Sequence, residues 1–478
     1  MKTIPYPRLY VTFLLPVVVL AGLDLRNWTV AAEKDPDVPM TRPQEMLAVH
    51  YTNFGHNSTF VELEGGRILH FGGSSFTTSD DGGITWSKPF TRKDIKGNPV
   101  GGGAEPSLVR LSGRGIGLAA RVKDANKGDE FEWTRSNHMT FWRSEDGGET
   151  WQPPVRMTPQ GVTTASYQDV FLRTSSGRII LPAFHFLGQR ENGWRDVKPP
   201  ANGVLVRGQW APAGAHYFDS AFCAVYVVYS DDDGRTWKRN RDGELMVLHD
   251  WNESYSGVNE SSLAEVAPGR LLIVMRNGMG RLFQAWSNNN GETWTRPQPM
   301  SLASSTAPAQ IRKLATGHLL IVWNQEGEEE VLRGLHRNRL SCAISRNGGS
   351  VWEFFQNVES FLPGTRVEPG PIRAARPAEI HFEPGQPAPE RNPQYVTSRN
   401  EFGRCSYPSV LVLKDRVLIT HTYTQWEDDP VKGQLVQSSR KPGGFNQKLK
   451  VIPLKWFYGG KEPANNPFLK EAYEPAKP

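Results

Sequence analysis

A chain of 478 residues with 38% hydrophobic and 22% charged side chains falls among folded globular proteins, which excludes wholesale disorder. Its net charge of +5 comes without any block of Lys or Arg, excluding a nucleic-acid face, although mild positive charge suits recruitment of an acidic substrate. Three cysteines, Cys223, Cys342 and Cys405, are too few and too scattered for a disulfide framework or a thiolate metal site; at most one bridge is expected, with no metal and no cofactor.

At the N-terminus, Lys2 and Arg8 lead into the apolar run VTFLLPVVVLAGL at 11–23, followed by TVAAEK. This is the layout of a secretory signal peptide with cleavage after Ala32, and the run is short for a membrane span. The expected organisation is a leader at 1–32, a linker at 33–44, one folded domain at 45–458 and an exposed extension at 459–478, in a secreted or periplasmic protein.

An octapeptide, SDDGGITW at 79–86, then recurs as SEDGGETW at 144–151, SDDDGRTW at 230–237, SNNNGETW at 287–294 and SRNGGSVW at 345–352. None of the five copies has the glycine at position six and the carboxylate at position twelve that an EF-hand loop requires. Asp, Asn and Gly in succession instead favour a tight turn whose carboxylate accepts backbone N–H bonds, and the tryptophan can bury its ring against a neighbouring unit. The box therefore reads as a turn staple repeated once per supersecondary unit.

Between the boxes run hairpins of apolar alternation, a turn and a second apolar run, starting at residues 57, 105, 168, 260, 308 and 407. Six such units rich in Val, Ile, Leu and Phe predict an all-β protein, a six-bladed β-propeller of four-stranded blades. The sixth lacks a good box, and EMLAVHYTNF from 45 is available as its closing strand. Two long segments, 186–222 with Trp194, Trp210 and Tyr217, and the Pro-rich 358–405, read as irregular excursions that shape specificity.

Innermost propeller strands line a central axis, so equivalent hairpin positions form rings. The first ring reads Asn57, Glu105, Asp169, Glu260, Pro308 and Tyr407; the second reads Gly73, Arg121, Phe184 or His185, Arg276, Asn324 and Thr422. Antiparallel pairing brings both rings to one rim, away from the box turns. A carboxylate beside a phenol can act as its base, and arginines anchor a carboxylated ligand.

The boxes, together with NESSLAEVAPGRLLIVMRN at 259–277 and SYPSVLVLKDRVLITHTY at 406–423, resemble the sialidase (neuraminidase) superfamily, specifically its bacterial BNR-repeat-like branch, over most of 45–440. The resemblance implies that Tyr407 is the nucleophile, that Glu260 activates it, and that Arg276 and Arg337 belong to the carboxylate-binding triad, with Arg339 as the alternative to Arg337. Sialic acid carries a carboxylate on its anomeric carbon, which a neutral phenol approaches with less repulsion than Asp or Glu would.

Two positions depart from the family pattern. His56 and Asn57 stand where a first triad arginine opens the first hairpin, and the loop FGGSSFTTS lacks the usual acid/base aspartate. Arg121 is expected to restore a third anchor, and Asp169, Asp124 or His185 to move the proton, with Asn57, Glu105 and His185 among the substrate contacts. The function expected is an exported, retaining, sialidase-like glycoside hydrolase acting on terminal sialic acid or a related acidic sugar. The alternatives are a hydrolase or lyase on another polysaccharide and a non-catalytic carbohydrate-binding propeller.

Overall fold

Six sheets follow one another along the chain in the computed structural model, each beginning with a strand that its neighbours' first strands contact. The structure describes residues 46–53, 57–123, 137–158, 164–187, 203–206, 209–212, 222–241, 245, 258–277, 281–305, 307–325, 337–361, 403–429, 434–437 and 444–460. The expected leader and linker lie outside them, as do the C-terminal extension from 461 onward, His56 and Asp124.

Blade I comprises Ser58–Glu62, Ile68–Gly72 and Ser75–Ser79, with an isolated bridge from Phe76 to Phe90 in the fourth place. Blade II comprises Ala104–Arg110, Ile116–Lys123, Asn137–Ser144 and Val155–Arg156. In blade III the inner edge is split into Thr164–Ser166 and Leu172–Arg173, both paired with Ile179–Leu187, which leads out to Phe222–Ser230 and Lys238–Arg239. Blade IV holds Asn259–Ala267, Arg270–Arg276, Arg281–Ser287 and Gln298–Ala303, and blade V holds Gln310–Lys313, Leu319–Trp323, Arg339–Ser345 and Glu353–Ser360. Blade VI runs Gly403–Val412, Arg416–Asp429, Gln447–Pro453 and finally Ala48–Thr52, so the first strand in sequence closes the last sheet, in register from Ala48 opposite Val451 to Thr52 opposite Gln447. The protein is a six-bladed propeller, closed as the sequence suggested.

Neither excursion is wholly irregular. A two-stranded hairpin, Gly203–Val206 with Gln209–Pro212, sits within 186–222, and strands of blades V and VI run in as far as Ser360 and out again from Gly403.

The apolar core is a set of inter-blade layers. One cluster joins Val61, Leu69 and Phe71 of blade I to Leu118 and Trp142 of blade II. The closing layer sets Phe60 and Ile68 of blade I on Leu418, Leu449 and Val451 of blade VI. Burying both faces of each sheet makes the ring a single hydrophobic structure.

The boxes are part of those layers. In the first copy Asp81 Oδ1 accepts the amides of Ile84 and Thr85, Ser79 Oγ receives the Gly83 amide at 2.8 Å, and the Trp86 indole donates to the Gly83 carbonyl at 3.1 Å. Each ring then packs toward the preceding blade. Trp151 of blade II is fully buried, 5.8 Å between centroids from Phe76 of blade I, and Trp237 of blade III meets Phe141 of blade II at 5.0 Å. The fifth-position glycine is required twice over at Gly234: its φ is +81°, and a Cβ there would stand 2.1 Å from Phe141. Contacts such as Asn290 N to Gly269 O and Ser112 N to Asp233 Oδ1 place the boxes beside the first-hairpin turns, on the rim away from the channel ring described below.

Hydrogen bonds from Thr85 hold the Asp81 carboxyl at about 2, against an ordinary 3.8. Burial would raise the Asp146 and Asp232 carboxyls, but hydrogen bonds, chiefly from Thr150 and Thr236, outweigh it and hold both at about 2. A depressed folded-state pKa contributes stability that is complete above the unfolded value and lost as pH falls through the folded one. The fourth box makes the same turn with Asn289, whose Oδ1 accepts the Thr293 amide at 2.9 Å without a titrating group. The triple replacement Asp81→Asn, Asp146→Asn, Asp232→Asn is therefore expected to fold and to lose less stability than wild type between about pH 4 and pH 2. Denaturant titrations followed by tryptophan fluorescence at stepped pH would check this; an unchanged acid slope would refute it.

Candidate active site

The first ring is built on bulges. Antiparallel register slips between Ala104 and Ser107 in blade II, between Asn259 and Ser261 in blade IV, and between Ser406 and Ser409 in blade VI. At these slips Glu105, Glu260 and Tyr407 adopt φ values of 56°, 24° and 56°, a region that L-residues with side chains rarely enter. Asp169 at 57° and Arg337 at 61° share it. Such strain costs on the order of 1–3 kcal/mol per residue and persists only where the surroundings enforce it, typically at functional sites. Here each bulge re-aims one polar side chain from the blade interface toward the channel rim.

The bulges are pinned from other blades, in part across the ring, since blade III reaches the bulge of blade VI. Gln168 Nε2 donates to the Tyr407 carbonyl at 3.0 Å, the Tyr167 hydroxyl donates to the Pro408 carbonyl, and Asn324 Nδ2 donates to the Cys405 carbonyl at 2.6 Å. The Asn57 amide oxygen accepts the Glu105 N–H at 3.1 Å, so this residue braces a bulge from blade I.

Three predicted residues come together around the phenol. The Tyr407 hydroxyl donates to Glu260 Oε1 at 3.2 Å, and Arg276 Nη1 donates to the same hydroxyl at 3.2 Å while also bonding Glu260 Oε2. Arg276 is 1% exposed. Arg337 lies with its guanidinium carbon 5.3 Å from the centre of the Tyr407 ring, and its carbonyl accepts the Cys405 amide at 2.8 Å. Arg339, its alternative, is buried in the third strand of blade V.

Blade II carries a second Glu–Arg pair with the same spacing: Glu105 precedes Arg121 by sixteen residues, as Glu260 precedes Arg276. Arg121 Nε approaches Glu105 Oε2 at 3.2 Å, and the Ser166 amide donates to that oxygen at 3.2 Å. Burial raises the Glu105 carboxyl, Arg121 pulls it down and Glu260 pushes it up again, leaving it at about 7.

Asp169 is placed differently. Its Oδ1 accepts the Thr59 hydroxyl at 2.8 Å and the Phe60 amide, and its Oδ2 accepts the Val410 amide at 2.8 Å and Arg312 Nη2 at 3.0 Å. Four donors from blades I, V and VI converge on this one buried carboxylate. It is the hub of a belt beneath the rim in which Thr59 receives the Leu108 amide, Ser107 the Val170 amide and Ser262 the Ile311 amide. His185 occupies the end of the second strand of blade III, opposite Thr164 and Ala224; its side chain lies outside the described residues.

Sequence reasoning passed over Tyr167, Gln168 and Arg312. Tyr167 lies edge-on to Tyr407, with centroids 5.9 Å apart, and is fully buried. An available signal was the innermost strand Gln310–Lys313, polar or charged at three of its four positions, because such a strand carries these groups only where something receives them. Among the described residues no group of three or more His, Cys, Asp or Glu is arranged to hold a metal ion.

A sequence profile described as the BNR repeat-like domain matches residues 125–419, more than half of the chain, and one described as the BNR/Asp-box repeat matches residues 77–88. A curated relative, a sialidase of Bacteroides fragilis (strain YCH46), is 25% identical over 299 residues, which cover 57% of this chain and 47% of the relative. The chain thus spans about half the length of that relative. Among solved structures, the Hadza microbial sialidase Hz136 is 14% identical with a TM-score of 0.48, covering 86% of this chain and 67% of its own. A Trypanosoma rangeli sialidase in complex with 2,3-difluorosialic acid, a covalent intermediate, is 13% identical with a TM-score of 0.47, covering 86% and 55%. Both TM-scores fall below 0.5, so the assignment rests on the profile match together with the five boxes in register: the chain belongs to the BNR repeat-like domain family, within the sialidase superfamily.

Proposed function

We propose that this rim is the active site of a sialidase-type glycoside hydrolase that removes a terminal sialic acid or a related acidic sugar with net retention. The observation that carries the proposal is the triangle of Tyr407, Glu260 and Arg276, held by strained bulges from two blades. In this reading Glu260 takes the phenolic proton as Tyr407 attacks the anomeric carbon, and Arg276 balances the charge of the carboxylate and stabilises the developing phenolate. Arg337 and Arg121 supply positive potential for the substrate's own carboxylate. Asn57 is assigned to brace the Glu105 bulge, and Asp169 to the framework of the channel wall.

The N-terminal pattern supports export through a leader cleaved after Ala32, with 45–458 as the working domain and 459–478 as an extension. No described helix is long and apolar enough to cross a membrane. Partners in this reading are sialoglycans or acidic polysaccharides.

Proton NMR of the first product released from an α-linked sialoside tests the reaction. The α-anomer is expected first, followed by mutarotation. Initial appearance of the β-anomer would rule out the double displacement, and absence of any release would rule out the sialidase reading.

A further inference from the structure

The family's acid/base aspartate has no counterpart in the first-blade loop, yet a glycosidic oxygen departing as an alkoxide needs a proton. Three carboxylates occupy the first ring among the described residues: Glu105, Asp169 and Glu260. Asp169 is engaged by four donors, and Glu260 is engaged by the phenol and Arg276. Glu105 sits at a register slip as Glu260 does, and among the described residues no tyrosine hydroxyl bonds to it. Its side chain retains 18% exposure at the rim against 5% for Asp169.

We infer that Glu105 is the proton donor to the leaving group, an assignment that rests on the function proposed above and relocates the family's acid/base from the first blade to the second. In the first step the bond from the anomeric carbon to the Tyr407 oxygen forms as the glycosidic bond breaks. The phenolic proton passes to Glu260 and the Glu105 proton passes to the departing oxygen. In the second step Glu105, now a carboxylate, takes a proton from water. The resulting hydroxide displaces Tyr407, which recovers its proton from Glu260, so both carboxyl groups return to their starting states.

The surroundings suit that cycle. Arg121 and the Ser166 amide both address Oε2, which favours the carboxylate formed after proton transfer. Burial and the Glu260 charge favour the protonated form before it, and with a folded value at about 7 the acid is protonated on the acidic side of neutrality. Asn57, accepting the Glu105 amide proton, fixes the backbone from which the side chain projects.

The experiment compares Glu105→Gln with wild type on two sialosides, one with an aryl leaving group such as 4-methylumbelliferone and one with a sugar leaving group such as 3′-sialyllactose. An aryl alcohol departs without much proton assistance, whereas a sugar hydroxyl does not. The variant is expected to lose about a hundredfold or more in kcat on sialyllactose and no more than about tenfold on the aryl sialoside. In wild type kcat/KM is expected to fall as pH rises through about 7, and the variant should lose that fall. Equal losses on both substrates with the alkaline fall retained would overturn the assignment alone and leave Glu105 as a positioning residue. Failure of the wild type to hydrolyse either sialoside would overturn both this inference and the proposed function. Glu105→Asp serves as the folding control and is expected to recover part of the sialyllactose activity, which a purely structural role would not restore selectively.

Discussion

Tyr407→Phe is expected to lower kcat on an aryl sialoside by roughly 10³-fold or more while leaving KM within a few-fold and the fold intact. The substitution removes one oxygen and keeps the ring, so the edge contact with Tyr167 and the approach of the Arg337 guanidinium both persist. What disappears is the atom that bonds Glu260 and Arg276. Residual turnover from substrate binding and the arginine field is expected, as is usual when one member of a catalytic unit is removed. Near-wild-type turnover by the phenylalanine variant would eliminate Tyr407 as nucleophile and leave the rim needing another explanation. Steady-state kinetics with a fluorogenic sialoside, alongside thermal melts of both proteins, provides the measurement.

Asp169→Ala is expected to act on the fold instead, destabilising the propeller by about 3–5 kcal/mol. Its carboxylate is nearly fully buried and ties blade I, through Thr59 and Phe60, to blade V, through Arg312, and to blade VI, through Val410. Truncation leaves a guanidinium facing an unfilled space and two buried amides without their acceptor, and each loss is costly in a low-dielectric interior. Asp169→Asn separates this role from a catalytic one. An amide keeps one acceptor for Thr59 and Phe60 but turns a donor toward the Val410 amide and Arg312, so it too should destabilise. Denaturant titration is the check: if Asp169→Asn unfolds like wild type but loses activity on poor leaving groups, Asp169 and not Glu105 delivers the proton.

The propeller was legible in the sequence because its repeating parts obey local chemistry. Asp81, Asp146 and Asp232 close tight turns through bonds to residues three and four positions on, and such short-range patterns survive in the order of residues. The ring containing Glu105, Glu260 and Tyr407 was legible for the same reason, since hairpins of similar length put equivalent positions at equivalent heights. The bulges were not. Neither Glu nor Tyr is a left-handed former, so nothing in their identity announces φ values of 56°, 24° and 56°; those are imposed by contacts from other blades such as Gln168 to Tyr407. Asp169 illustrates the same limit. The identity of an aspartate at a ring position does not announce its four donors, which come from residues between 109 and 241 positions away in the chain. Glu105 was legible as a rim residue, but its difference from Glu260 depends on which of them lies beside the phenol.

The assignment of Tyr407 is tested most directly by trapping. Incubation with a 2,3-difluorinated sialic acid, whose fluorines slow breakdown of a glycosyl-enzyme, followed by proteolysis and tandem mass spectrometry, locates any covalent bond. A single adduct on the peptide carrying Tyr407, fragmenting at that residue and absent from Tyr407→Phe, is the predicted result. An adduct on Glu260, Glu105 or another carboxylate, or no adduct in an enzyme that turns over its sialoside with retention, would contradict the account.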